Sequence, residues 1–293
     1  MTPPLAFPAG NADPLSLTPC RIAGIARHAL YRELAVTLKP GLVGPDDNGS
    51  HSDMTMSTFV RSLQSLRPHL RRIAEAGADG QPFALLQRLG IAAEADMLAA
   101  TGGINTHRGA IFNLGLLAAA TASLAHCNLP LSARHIAAHV RDVWGAGILQ
   151  SARNATAGSH GATVHQRHGA HGARGEAAAG FRTVIGCGLP AYRRALGVGC
   201  PPDAAALHAL FALIAVTADT NLLWRGGPRG LAFAQRVARR FLSEGGVMSP
   251  GWQLRAARLQ AAFRERRLSP GGSADLLAAT LFLHRVEVIQ RGA

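Results

Sequence analysis

The sequence AIFNLGLLAAATASLAHC, residues Ala110–Cys127, decides the fold class. It is dominated by the helix-forming residues Ala and Leu and approaches the length of a membrane span. Asn113 and His126 interrupt it, however, and a second apolar run, Ala204–Ala218, is shorter than a span and is followed directly by Asp-Thr-Asn. We therefore interpret both runs as helices buried in a large helical core, and we expect no membrane insertion.

The composition of the whole chain also favours helices. Hydrophobic residues make up 48% of it and charged residues 16%, so a packed globule is expected rather than a disordered chain. Ala, Leu and Gly are abundant and β-branched runs are few, which favours helices packed through small residues. We predict one large all-α catalytic domain over residues 21–293. A proline-rich, disordered or extended lead-in without signal-peptide features is predicted over residues 1–20.

Two further segments carry expectations about local structure. Apolar residues recur at helical spacing from Ser57 to Glu75, which predicts a single amphipathic helix there. Residues 154–176, NATAGSHGATVHQRHGAHGARGE, are rich in Gly, Ala and His and too long for a simple connection. We expect this segment to be either a functional loop or disordered, and its role stays open.

The distribution of charge along the chain disfavours one class of partner. The formal net charge is +13, from 30 basic and 17 acidic residues, and Lys39 is the single lysine. The arginines are dispersed and aromatic residues make up only 5% of the chain, whereas RNA-binding faces combine clustered cations with aromatics. We therefore predict no nucleic-acid partner. The four cysteines lack C-x-x-C or disulfide-framework spacing, which is typical of a reduced, cytoplasmic protein.

Acidic residues are scarce, yet about half of them lie in short segments that are punctuated by Gly, Asn or His. Five segments share one pattern, in which a helix ends, a polar glycine-containing turn follows, and a carboxylate or cation lies at the next helix start. They are KPGLVGPDDNGSHSDM (residues 39–54), TGGINTHRG (101–109), HGARGE (171–176), DTNLLWRGG (219–227) and SPGGSAD (269–275).

These residue types suit a phosphorylated ligand. Glycines let backbone amides approach closely, and helix N-termini supply oriented N–H groups for phosphate. Lysine and arginine add positive charge, and aspartates can hold Mg²⁺ together with waters and substrate phosphates. Each segment alone is ordinary capping and turn chemistry. Together they predict a Mg²⁺-dependent site for a nucleotide or phosphorylated sugar, formed by helix termini and glycine-rich loops, without a P-loop or Rossmann motif.

The order of these motifs resembles one known family. TGGINTHRGAIF, with KPGLV and DNGSHSDM upstream and GARGEA, DTN, RGG and SPGGSADLLA downstream, is similar to triphosphoribosyl-dephospho-CoA synthases. The resemblance implies an all-α enzyme, a pentosyltransferase that transfers the triphosphoribosyl group of ATP to 3′-dephospho-CoA and releases adenine. Its product would pass to a phosphoribosyl-dephospho-CoA transferase and then to an acyl carrier protein. Ser50 and Arg108 favour the branch serving malonate decarboxylase over the one serving citrate lyase.

The motif match also implies the site residues, to which we assign roles as hypotheses. Glu94 and Glu176 are candidates for the base or for stabilising an oxocarbenium-like sugar, His107 for the general acid or a phosphate contact, and Asp219 for a further catalytic group. The predicted substrate-binding residues are Lys39, Asn105, Thr106, Arg108, Asn221, Arg225 and Ser273. The predicted ligands of the expected Mg²⁺ are Asp47, Asp53 and Asp219.

Two other classes of protein stay open beside this one. The first is an all-α Mg²⁺-dependent hydrolase of ADP-ribose-type N-glycosidic bonds, which would release the base without an acceptor. The second is a basic helical RNA-binding protein, which would bind RNA tightly and release no adenine. A homodimer is compatible with the sequence, which does not determine the oligomeric state.

Overall fold

The computed structural model describes residues 17–153 and 160–292, which form α-helices, short π- and 3₁₀-helical segments and turns, and include no β-strand. The predicted all-α fold in a single domain is confirmed. The α-helices of these residues are α1 (Pro19–Ala35), α2 (Met56–Ser65), α3 (Arg67–Ala78), α4 (Phe83–Thr101), α5 (Arg108–His126), α6 (Ala133–His139), α7 (Gly145–Arg153), α8 (His160–His168), α9 (Gly172–Ala178), α10 (Leu189–Gly197), α11 (Pro202–Val216), α12 (Thr220–Ser243), α13 (Trp252–Glu265) and α14 (Gly271–Arg291).

The two apolar runs form central helices. In α5, 13 of the 19 residues are buried, and in α11, 12 of the 15 residues are buried. Both helices are therefore hydrophobic around most of their circumference. Among the described residues, α5 is the one helix long and apolar enough by itself to cross a membrane, and 72% of its apolar window is buried inside the fold. A second candidate span would need α11 and α12 together, which are bent by 58°. Packing against other helices therefore accounts for the hydrophobicity of α5.

Small residues bring helices α3 and α5 unusually close. A Cβ added to Gly77 of α3 would lie 2.2 Å from the backbone oxygen of Ala119 in α5. Because no real side chain tolerates that distance, only glycine permits this approach of the two backbones. The predicted packing through small residues is thus seen where α5 meets its neighbour.

Three local predictions differ from the structure in detail. The single helix predicted from Ser57 to Glu75 is wrong, because α2 ends at Ser65 and α3 begins at Arg67. Pro68 lies in the first turn of α3, where a proline ring is tolerated but would break a continuing helix. Helix α1 begins at Pro19, within the predicted lead-in, and residues 1–16 lie outside the described residues. The segment 154–176 contains α8 and the first part of α9, and residues 154–159 lie outside the described part.

Helix α12 contains a sharp break. Gly227 has φ 59° and ψ −164°, a backbone conformation that is essentially restricted to glycine, and Pro228 follows it. The break separates the first two turns of α12 from its longer remainder. Those first turns carry Asn221, Trp224 and Arg225 along the wall of a large cavity.

Candidate active site

A cavity of about 1540 Å³ lies where the N-termini of α5, α12 and α14 meet. Its wall also includes parts of α1, α4 and α9 and the loop before α2. All five motifs that the sequence singled out therefore contribute to one cavity. Oriented N–H groups at the starts of long helices such as α5 and α14 favour anionic ligands.

Asp219 joins two of these helix starts. Its Oδ1 accepts hydrogen bonds from the backbone N–H groups of Asn221 (2.9 Å) and Leu222 (3.2 Å), which caps α12. Its Oδ2 accepts hydrogen bonds from the backbone N–H (2.7 Å) and the hydroxyl (2.9 Å) of Ser273 in α14. Burial raises the pKa of Asp219, and the four hydrogen bonds oppose that shift. With four donors on its two oxygens, the carboxylate has no lone pair left for a metal ion.

Asp275 lies in α14, two residues after Ser273, and also lines the cavity. It faces Gly109 at the start of α5, where an added Cβ would lie 2.0 Å from Asp275 Oδ2. The backbone N–H of Ala110 donates a hydrogen bond to this carboxylate. Burial, and then the charges of Asp219 and Glu33, raise the pKa of Asp275 well above its ordinary value. Three carboxylates are thus close enough to influence one another.

Lys39 holds the third of these carboxylates. Its ammonium is buried and donates hydrogen bonds to Glu33 Oε1 and to the Glu33 backbone oxygen, each at 2.7 Å. Burial lowers the pKa of Lys39, and the Glu33 carboxylate opposes the shift. Glu33 lines the cavity, whereas Lys39 lies behind it. In this geometry Lys39 positions Glu33, and its predicted phosphate contact stays a prediction.

His107 is buried at the N-terminus of α5. Its Nδ1 lies 2.6 Å from the hydroxyl oxygen of Ser62, and its ring packs edge-on against Phe59 with centroids 5.0 Å apart. Burial, followed by the charge of Lys39, lowers the pKa of His107 to about 3. The imidazole is therefore neutral near neutral pH, which disfavours the general-acid role proposed for it. Its Nε2 has no hydrogen-bond partner among the described residues, although the residue lines the cavity.

The two predicted catalytic glutamates are each engaged by a neighbour. Arg108 donates a hydrogen bond from Nε to Glu94 Oε2 at 2.9 Å, and burial raises the pKa of Glu94 against the opposing charges of Arg108 and Arg174. Glu176 accepts hydrogen bonds from the backbone N–H of Thr183 (2.7 Å) and from the Thr183 hydroxyl (2.8 Å). Both glutamates line the cavity, and Glu176 also fixes the chain that follows α9.

Arg225 links the loop before α2 to the start of α12. Its guanidinium donates to the backbone oxygens of Ser50 (3.2 Å) and Arg267 (3.4 Å) and lies 3.1 Å from His51 Nδ1. The other ring nitrogen of His51 lies 2.9 Å from the Ser269 hydroxyl oxygen. Burial, followed by the charge of Arg225, lowers the pKa of His51 to about 4. Three separate motifs are therefore held in one hydrogen-bonded corner of the cavity.

The predicted metal ligands do not come together. Asp47 lies off the cavity wall, where it accepts a hydrogen bond from the Gly49 N–H at 2.7 Å and pairs with Arg264 at 3.3 Å. The Asp53 side chain is 60% exposed, and the lone pairs of Asp219 are filled. Within residues 17–153 and 160–292, no three His, Cys, Asp or Glu side chains gather into a group that could hold a metal ion.

The remaining predicted residues have clear positions. Asn105 and Thr106 line the cavity, and Asn105 Oδ1 accepts a hydrogen bond from the Arg108 N–H at 3.2 Å. Ser273 is buried behind the wall, bonded to Asp219. Predicted residues that line the cavity are Asp53, Glu94, Asn105, Thr106, His107, Arg108, Glu176, Asp219, Asn221 and Arg225. Lining residues to which the sequence assigned no individual role include Glu33, His51, Asn113 and Asp275. Arg174, a cation of the HGARGE segment, also lines the cavity.

A helical fold whose long helices begin at one cavity, with arginines and carboxylates on the same wall, defines a class of enzyme that handles anionic, phosphorylated ligands. Residues 19–292 match the CitG family, described as ATP:dephospho-CoA triphosphoribosyl transferase. The chain belongs to this family, and it is a transferase.

Curated relatives agree with that assignment. A protein of Acinetobacter calcoaceticus named a probable 2-(5''-triphosphoribosyl)-3'-dephosphocoenzyme-A synthase is 40% identical over 268 residues, which cover 91% of each chain. A Pseudomonas putida protein of the same name is 43% identical over 90% of this chain and 94% of the relative. The Pectobacterium atrosepticum 2-(5''-triphosphoribosyl)-3'-dephosphocoenzyme-A synthase is 41% identical over 88% of this chain and 86% of its own length. No solved structure matches the chain.

Proposed function

We propose that this enzyme transfers the 5-triphosphoribosyl group of ATP to the 2′-hydroxyl of 3′-dephospho-CoA and releases adenine. The observation that carries the proposal is the single cavity where arginines, helix N-termini and carboxylates meet. Its family membership over residues 19–292 supports the same reaction.

The size of the cavity suits two large substrates at once. Sites for a single small molecule usually enclose about 300–1000 Å³. A cavity of about 1540 Å³ exceeds that range. It therefore has room for ATP and for the nucleotide part of dephospho-CoA side by side, as a direct transfer between them requires.

The charges on the wall match the charges that the reaction develops. Displacement of adenine at the anomeric carbon passes through an oxocarbenium-like sugar, which carboxylates stabilise, while cations stabilise the triphosphate. Arg108, Arg174 and Arg225 line the cavity and would bind the triphosphate. Asn105 and Asn221 would hydrogen-bond the sugar.

Magnesium enters this proposal with the nucleotide. The predicted ligands Asp47, Asp53 and Asp219 do not fit a protein-held Mg²⁺ in this geometry, since one lies off the wall and another has no free lone pair. Mg²⁺ commonly keeps waters and binds chiefly through substrate phosphates. When bound to ATP it would screen the triphosphate charge, and the arginines above would hold the complex.

The place of the enzyme in metabolism is also a proposal. We favour a cytoplasmic enzyme that serves the acyl carrier protein of malonate decarboxylase, through a downstream phosphoribosyl-dephospho-CoA transferase. Support comes from the motif resemblance around Ser50 and Arg108, and from Cys20, Cys127, Cys187 and Cys200, which are free thiols. The genes that neighbour this one test the pathway, and citrate lyase subunits there would contradict it. Light scattering tests the homodimer.

An acceptor series tests the reaction itself. Purified enzyme is incubated with ATP and Mg²⁺ and with 3′-dephospho-CoA, coenzyme A or no acceptor, and adenine is measured by chromatography. We expect adenine release only with 3′-dephospho-CoA, because coenzyme A carries a phosphate on the adjacent hydroxyl. Equal adenine release without acceptor would instead identify an N-glycosidic hydrolase. Salt-sensitive RNA binding without adenine release would identify an RNA-binding protein.

A further inference from the structure

The side chain of Asp275 lies on the cavity wall in a space that exists only because residue 109 is a glycine. The carboxylate stands against Gly109, where an added Cβ would lie 2.0 Å from its Oδ2. Gly109 belongs to the TGGINTHRG segment and Asp275 ends the SPGGSAD segment. These two motifs therefore contact each other directly, and the absence of a side chain at Gly109 leaves space for the Asp275 carboxylate.

Asp275 also differs from the other mostly buried carboxylates of the cavity. The Asp219 carboxylate accepts four hydrogen bonds, and the Glu33 carboxylate accepts one from Lys39. Glu94 is paired with an arginine and Glu176 with Thr183. Asp275 accepts a hydrogen bond from the backbone N–H of Ala110, and among the described residues it forms no ion pair. Its carboxylate therefore keeps lone pairs for a ligand.

Two buried side chains beside it point independently to a ligand. Asn113 lies one turn after Gly109 on the same face of α5 and is 1% exposed, yet its Oδ1 has no hydrogen-bond partner within the part of the chain that the structure describes. His107 is 3% exposed, and its Nε2 also lacks a partner among those residues. Both residues line the cavity. Because buried polar atoms are nearly always paired in native proteins, these atoms indicate that a polar ligand completes this part of the wall.

We infer that Asp275 is the catalytic base of the transfer and accepts the proton of the attacking ribose hydroxyl. This inference rests on the proposed function. The hydroxyl oxygen forms a bond to C1′ of ATP while its proton moves to Asp275. The C1′–N9 bond breaks, and its electron pair leaves with adenine, which takes one proton from solvent. Asp275 then returns one proton to solvent, so that protons and electrons balance.

The electrostatic surroundings suit this role. Burial and the facing charges of Asp219 and Glu33 raise the pKa of Asp275, while the Ala110 N–H opposes the shift. A carboxylate with a raised pKa is a stronger base than one in water, and proton transfer is most efficient when the pKa lies near the working pH. Ionisation of this buried group disfavours folding, so that its removal need not destabilise the protein.

The test compares Asp275→Asn with Asp79→Asn, a control at an exposed position at the end of α3. Adenine release is measured from pH 5 to 9 at saturating substrates, together with Tm and ATP binding by calorimetry. We expect Asp275→Asn to lower kcat by at least about 100-fold and to change KM by less than about 3-fold. Its Tm should equal or exceed that of the wild type, and the acidic limb of its kcat profile should disappear. Asp79→Asn should match the wild type.

Other outcomes would overturn the assignment. If Asp275→Asn keeps more than about a tenth of the wild-type kcat, Asp275 is not the base. If added Mg²⁺ restores its activity, the carboxylate binds a metal, and if ATP binding is lost, it binds substrate. A wild-type enzyme that releases no adenine with 3′-dephospho-CoA would instead refute the proposed function, and this inference with it.

Discussion

Asp219 accepts hydrogen bonds from both the backbone N–H and the hydroxyl of Ser273, at 2.7 and 2.9 Å, and so fastens the start of α14 to the start of α12. The same carboxylate caps α12 through two backbone N–H groups. This relationship sets the distance between two motifs that are 54 residues apart in the chain. The geometry therefore gives Asp219 a positioning role, while the catalytic role that the sequence predicts for it stays a prediction.

Asp219→Ala should destabilise the protein strongly. Loss of the cap and of the oxygen that accepts both hydrogen bonds from Ser273 should cost about 2–4 kcal/mol in the free energy of unfolding. Ser273→Ala removes only one hydroxyl donor and should cost about 1 kcal/mol. Urea denaturation measures both values. Equal stability of the wild type and Asp219→Ala would show that this carboxylate does not stabilise the contact between α12 and α14.

The lowered pKa of His107 predicts that the folded protein loses stability in acid. This pKa is about 3 in the folded protein, whereas the ordinary value is 6.5. Between these two pH values the imidazole is protonated in the unfolded chain but neutral in the folded protein. Stability should therefore decline from about pH 6.5 towards pH 3, by at most about 1.4 kcal/mol per pH unit for this group. His51, with a pKa of about 4, acts in the same direction.

Replacement of His107 isolates its share of that slope. Denaturation of His107→Asn between pH 7 and 4.5 should show a shallower decline than the wild type. His51 is one of several histidines that contribute to the remaining decline, because burial lowers their pKa. His126→Asn, at an exposed position at the end of α5, is the matched control and should keep the wild-type slope. An unchanged slope in His107→Asn would contradict the buried, neutral imidazole.

Gly109→Ala tests the steric pairing with Asp275. Its Cβ would lie 2.0 Å from Asp275 Oδ2, so the carboxylate must move. We expect kcat to fall by about 10- to 100-fold. Gly90→Ala in α4 is the control, because an added Cβ meets nothing within 4 Å there, and it should raise stability by about 0.5–1 kcal/mol without loss of activity. Full activity in Gly109→Ala would mean that the position of Asp275 is not critical.

Arg225→Lys tests the corner that joins three motifs. Lysine keeps the charge but lacks the planar fork that contacts Ser50, Arg267 and His51 together. KM for ATP should rise by about tenfold, which corresponds to about 1.4 kcal/mol of binding. Arg229→Lys, at an exposed position off the cavity wall, should leave KM unchanged. Steady-state adenine release measures both, and equal KM values would contradict a role of Arg225 in binding ATP.

The fold class could be predicted from the sequence because its signal is local. Apolar runs such as Ala204–Ala218 are too rich in Ala and Leu to be anything but helices, and α11 covers nearly the same residues, Pro202–Val216. The division of Ser57–Glu75 into α2 and α3 was missed because the apolar face continues across Pro68. There, a covalent restriction of the backbone overrode a correct periodicity.

The site could be predicted as a set of segments but not as a set of roles. Whether a carboxylate already accepts several hydrogen bonds or keeps lone pairs for a ligand depends on donors that are distant in the sequence. Asp219 is filled by Ser273, and Asp275 is open because Gly109 leaves room for it. The sequence predicts a phosphate contact for Lys39 but not its ion pair with Glu33, which lies six residues before it near the end of α1. Only tertiary structure decides such pairings.

The most direct test of the central claim is the stoichiometry of the transfer. Enzyme, Mg·ATP and 3′-dephospho-CoA are incubated together, and adenine, intact acceptor and modified acceptor are quantified by chromatography with mass spectrometry. We predict one adenine released for each acceptor modified, with all three phosphates of ATP retained on the modified acceptor. Adenine release without modification of the acceptor, or a modified acceptor that lacks the triphosphate, would contradict the account.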